Sequence, residues 1–105
     1  MKFTLCKEKD GELTEVVYQP PFVSAKHFRK LAEFEEEIDY LDMDTEDMDK
    51  IVEFVCDVYG NQFTPEEFWE GTPSHSFIEL IGNVFYFVRT GKDPKKIEGN
   101  TEGKS

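Results

Sequence analysis

Gln19-Pro20-Pro21 separates two kinds of hydrophobic periodicity, and that break constrains the fold more than any other feature of the chain. Proline lacks the amide hydrogen that a sheet ladder needs and pushes the residue before it into an extended conformation, so no paired strand continues through it. Ahead of the break, Lys2 to Cys6 reads K-F-T-L-C and Leu13 to Tyr18 reads L-T-E-V-V-Y, both rich in strand formers. Between them lies Lys9-Asp10-Gly11-Glu12, and Asp-Gly is a strong two-residue hairpin signal because both residues accept positive φ. The sequence therefore predicts an N-terminal β-hairpin that stops at the prolines.

Beyond the break the period becomes helical. Ser24 is placed to cap a helix from Ala25 to about Leu41, with Phe28, Leu31, Ala32 or Phe34, Ile38 and Leu41 recurring at spacings of three and four. A second helix from about Thr45 to Tyr59 shows Met48, Ile51, Val52, Val55, Val58 and Tyr59 on one face, with Asp44 or Thr45 as cap and Gly60 as stop. Thr64-Pro65-Glu66-Glu67 has the form of a capping box, opening a short helix that ends at Gly71. Thr72-Pro73 repeats the start signal for a final helix to about Arg89, carrying Phe77, Leu80, Ile81, Val84, Phe85 and Val88 on one side. Ile78, Tyr86 and Phe87 lie off that stripe, and a helix apolar nearly all round needs neighbours on several sides, which points to packing against another chain. From Gly91 onward the only large apolar residue is Ile97. The expected fold is α+β: an N-terminal β-hairpin packed on a mainly helical bundle of three to four helices. Residues 1–90 form one domain, and residues 91–105 have the composition of a flexible, disordered C-terminal tail.

The charge is uneven. Sixteen acidic residues lie between Leu31 and Val88 against the lone cation Lys50, so that segment carries −15 and the rest carries +4 of the total of −11. Phosphate binding through counterion release needs clustered Lys and Arg, so nucleic acid is not an expected partner. No apolar run approaches the roughly 18–20 residues that span a bilayer, and Met1 to Asp10 is charged, so neither a membrane span nor a signal peptide is expected. Cys6 and Cys56 lie far apart and read as reduced thiols.

No constellation of reactive side chains stands out. Asp42, Asp44 and Glu46, with Glu53 eleven residues after Asp42, imitate the spacing of an EF-hand loop, but Asp47 stands where that loop needs glycine and Lys50 falls on a ligand position. A capped helix start explains the same acids through the helix dipole. His27 and His75 have no His or Cys at i+3 or i+4 to pair with on zinc, and Ser74, His75 and Ser76 point in different directions on a helical turn. No catalytic residue, metal ligand or cofactor site is assigned. The expected role is binding, through apolar helix faces set beside a carboxylate surface.

Several segments converge on one family. Met1-Lys2-Phe3-Thr4-Leu5, the entry Gln19-Pro20-Pro21-Phe22-Val23-Ser24-Ala25, and Phe54-Val55-Cys56-Asp57-Val58-Tyr59-Gly60-Asn61-Gln62-Phe63-Thr64 with the short acidic helix after it resemble tail assembly chaperones of long-tailed, siphovirus-type phages and prophages of Gram-positive bacteria. The resemblance runs from Met1 to about Val88. It implies a non-enzymatic protein of the host bacterial cytoplasm, absent from the mature virion, that binds and solubilises the tape measure protein during tail morphogenesis. It also implies a longer product of ribosomal frameshifting that recruits tail tube protein; Thr90-Gly91-Lys92, Pro94-Lys95-Lys96 and Glu102-Gly103-Lys104 are compatible with slippery codons. The candidate partner-binding residues are Phe77, Ile78, Ile81, Phe85, Tyr86 and Phe87, since aromatic and large aliphatic anchors dominate interface energies. The same surface suits a homo-oligomer. The alternative class is an acidic inhibitor that mimics nucleic acid, its carboxylates imitating phosphates toward a host or phage DNA-binding protein.

Overall fold

A computed structural model describes residues 1–93. The expected flexible tail falls, from residue 94 onward, outside the described residues. Strands β1 (Phe3–Lys9) and β2 (Glu12–Tyr18) pair antiparallel, with Phe3 opposite Tyr18, Leu5 opposite Val16 and Lys9 opposite Glu12. Asp10 and Gly11 turn between them with φ of 55° and 81°, the doubly positive geometry that matches the twist of the strands. Phe3, Leu5 and Tyr18 face inward and are buried.

Four helices follow: α1 (Ala25–Glu37), α2 (Thr45–Val58), α3 (Pro65–Gly71) and α4 (Phe77–Thr90), the last preceded by a 3-10 turn at Ser74–Ser76. Helix α1 is shorter than the spacing predicts. Ile38 leaves the helix with extended angles, and the Asp39 side chain accepts the Leu41 N–H at 3.0 Å, a local bond that competes with another helical turn. Its inward face is His27, Leu31 and Phe34, followed by the buried Ile38 just past its end, whereas Phe28 and Leu41, expected on that stripe, are exposed. At the start of α2 it is Asp44 that caps, in a reciprocal box with Asp47. Helix α3 opens with the expected box between Thr64 and Glu67. The Thr72-Pro73 start signal does not open α4: the Thr72 hydroxyl is buried without a hydrogen-bond partner among the described residues, and the α-helix begins at Phe77 after the 3-10 turn. Gly91, at φ 72°, closes it.

The core has two aromatic centres. Phe3 stacks on Phe63 at 5.2 Å and lies 5.0 Å from Tyr59 and 5.8 Å from Phe68, which joins the hairpin to the end of α2 and to α3. Phe54 meets Phe34 at 5.3 Å and Phe85 at 6.0 Å, edge to face, which joins α2 to α1 and α4. Each fully buried ring contributes on the order of 2 kcal/mol of apolar transfer energy, so these rings set how the elements sit.

The segment Tyr59-Gly60-Asn61-Gln62-Phe63-Thr64 supplies two rings, Tyr59 and Phe63, to the first of these centres. Tyr59 is fully buried and its hydroxyl donates to the Met1 carbonyl at 3.0 Å. Gly60 and Asn61 both take positive φ, and a side chain on Gly60 would start 3.0 Å from Pro21. The Gln62 amide donates to the carbonyls of Gln19 and Tyr59 at 2.6 and 2.8 Å, tying the proline linker to the end of α2.

Candidate protein-binding groove

Helix α4 presents its core face, Ile81, Val84, Phe85 and Val88, to the rest of the molecule. On one flank of that face lies a groove of about 280 Å³ lined by Tyr40 and Met43 from the loop between α1 and α2, and by Ile78, Ile81, Gly82 and Phe85 from α4. Glu35 and Arg89 close one end as an ion pair between α1 and α4. The α4 positions 78, 81, 82, 85 and 89 form one helical stripe, so the groove runs along the helix axis.

The six residues expected to bind a partner are divided among three environments. Ile78 is 61% exposed and lies at the rim. Ile81 and Phe85 are almost wholly buried and form the floor, where Phe85 packs at 5.7 Å from the Tyr40 ring. Phe77 turns to the opposite flank and stacks on the partly exposed Trp69 at 5.2 Å, while Tyr86 and Phe87 are half-buried. The structure thus brings Ile78, Ile81 and Phe85 into one site and places Phe77 in another.

Tyr40, Met43, Gly82, Glu35 and Arg89 were not among the expected site residues. Tyr40 and Met43 carried no sequence signal, because they reach the groove only where α1 stops early. Gly82 did carry one: a glycine inside an otherwise strongly apolar helix costs roughly 1 kcal/mol against alanine and asks for a reason. Leu41, between the two loop residues that line the groove, is 98% exposed.

The electrostatics are one-sided. The lining segments, residues 35–43 and 77–90, carry six carboxylates and the single cation Arg89. Arg89 beside Glu35 holds that carboxyl below its ordinary value. Burial raises the Tyr40 phenol, with the Glu35 charge adding to the rise, and its hydroxyl has no hydrogen-bond partner among the described residues. Burial likewise pushes the Cys56 thiol up to about 11. The EF-hand-like stretch is taken up by helix capping, since α2 starts at Thr45 and the Asp44 and Asp47 side chains accept backbone N–H groups. His75 sits in the exposed 3-10 turn. Among the described residues no helix is long and apolar enough to cross a membrane.

A family model described as phage tail chaperone protein matches the chain over residues 1–105. Comparison with curated proteins and with solved structures finds no match.

Proposed function

Because the chain belongs to the phage tail chaperone family, we propose that it binds the tape measure protein and keeps it in solution while the tail of a long-tailed phage or prophage of Gram-positive bacteria is built. The match over residues 1–105 is the observation that carries this reading. The tail assembly role calls for protein partners and for no chemistry of its own. A tape measure chain is long and largely helical, and its apolar stripes need cover before tube subunits polymerise around it. The α4 surface supports that use: Ile78 is the outward anchor, Ile81 and Phe85 give it an apolar floor, and Phe77 on the opposite flank and the half-buried Tyr86 and Phe87 add apolar surface elsewhere on the helix. The exposed carboxylates of α1 and α2 would keep a coated complex from associating with other coated complexes.

In this reading many copies act on one tape measure chain in the host cytoplasm and none enters the virion. A longer frameshift product adds a C-terminal extension that recruits tail tube protein. Co-expression tests the central step. The tape measure protein is expected to move from the pellet to the soluble fraction and to co-purify with this chain; if it stays insoluble and does not co-purify, the tape measure reading is wrong.

A further inference from the structure

Gly82 points to what the groove holds. It sits in the middle of α4, where glycine costs helix stability, and a Cβ built there would meet no atom of another element within 4 Å among the described residues. Among the described residues, steric crowding therefore does not require glycine at this position. A missing side chain on an exposed helix surface, between Ile78 and Phe85 and over the buried Ile81, makes room for something that approaches the backbone from outside. The space is elongated: Ile78 to Arg89 spans about 16 Å of helix axis, the length of three turns. Its walls are apolar, and the segments that form them carry the six carboxylates and the paired Arg89.

We propose that this groove is a slot for one amphipathic α-helix of a partner protein, with a small or apolar residue packed over Gly82 and lysine or arginine on both sides of its apolar stripe. The apolar lining selects a stripe of i, i+3, i+4, i+7 anchors, as in other helix-in-groove complexes. Glu35 at the end of the groove and the other carboxylates of the lining segments attract the flanking cations and speed their encounter. A second copy of this chain is a poorer occupant, because two such surfaces would bring like charges together. The inference deepens the tape measure reading and rests on it only for the identity of the partner.

The test uses the full chain and two synthetic helical peptides of about 11 residues each, with the same leucine and alanine stripe but lysine flanks in one and glutamate flanks in the other. Fluorescence anisotropy is expected to show the lysine peptide binding about tenfold or more tightly than its twin, with the gap narrowing toward about 0.5 M NaCl. Gly82→Leu is expected to lower that affinity about tenfold while raising the Tm, since the substitution fills the slot and improves the helix. Gly82→Ala is expected to shift both quantities in the same directions by less. Equal binding of the two peptides, or unchanged binding by Gly82→Leu, overturns the proposal. So does self-association of the wild-type protein that Gly82→Leu abolishes in sedimentation, which would assign the groove to a second copy. If tape measure protein co-purifies equally with wild type and Gly82→Leu, the groove is wrong and the chaperone reading stands. If it fails to co-purify with wild type while the lysine peptide still binds as expected, the tape measure reading alone falls.

Discussion

His27 and Ser24 hold the start of α1 by an exchange. The Ser24 hydroxyl accepts the Lys26 N–H at 3.3 Å, and the Ser24 N–H donates to His27 Nδ1 at 3.2 Å, so histidine stands where a capping box usually has Glu or Gln. Nε2, on the other side of the ring, lies 3.1 Å from Asp57 Oδ2 without a hydrogen bond among the described residues. His27→Ala is expected to cost about 1–2 kcal/mol in urea unfolding, from the lost cap and the space left beside Phe54, while His27→Gln keeps the acceptor and loses less. Equal stabilities of wild type and His27→Ala would show that the box contributes nothing. Cys56 gives a second residue-scale prediction. It is buried on α2 with its thiol pushed up to about 11, whereas Cys6 is partly exposed. A thiol reagent near pH 8 should therefore label Cys6 in the native protein and reach Cys56 only on unfolding. Labelling of both at equal rates without denaturant would contradict the burial of Cys56.

At the scale of elements, α3 is seated by its two ends. Thr64 and Glu67 cap its start, and Gly71 lets its last turn press on β1, since a side chain there would start 2.7 Å from the Cys6 carbonyl oxygen. Backbone cannot yield as a flexible side chain does, so Gly71→Ala is expected to destabilise by about 2 kcal/mol or more and Thr64→Ala by about 1 kcal/mol, read as urea midpoints. A neutral Gly71→Ala would mean that α3 can move off the strand at little cost. Much of this architecture is legible from sequence because its signals are local. The Asp10-Gly11 turn, the Thr64 box and the α2 stripe all show in a window of a few residues. The short α1 and the late α4 were not legible, because each turns on a competition: Asp39 captures the Leu41 N–H, and burial of the Thr72 hydroxyl removes it as a cap. The groove was half legible for the same reason. Ile78, Ile81 and Phe85 declare themselves on one helix, whereas Tyr40, Met43 and Glu35 join them only through the packing of α1 on α4.

The whole molecule carries its charge in two opposed ways. Lys7 with Glu67 ties β1 to α3, and Arg89 with Glu35 ties α4 to α1. Hydrogen bonds from these cations lower both carboxylates from 4.5. A lowered folded value adds stability above the unfolded pKa and loses it as pH falls through the folded one, so these two contributions fade in acid below about pH 4.5. The bond to Glu67 raises Lys7 from 10.5, and that contribution is present below 10.5 and fades as pH rises through the folded value. All four side chains are partly exposed, so each pair adds little stability. Against them stand the sixteen carboxylates between Leu31 and Val88, which repel one another at every pH where they are ionised and have only Lys50 inside the segment to offset them. The repulsion involves many charges over long distances, and raising salt from about 0.01 M to 1 M shortens the screening length from roughly 30 Å to 3 Å. The close pairs lose little by comparison, because their charges are in contact. Near pH 7 the Tm is therefore expected to rise as NaCl increases to about 0.5 M, by several degrees for a domain of this size. A falling Tm would mean that the cross-element pairs outweigh the repulsion, and the carboxylate surface would then be part of what holds the fold together instead of a charge the fold tolerates for its partner.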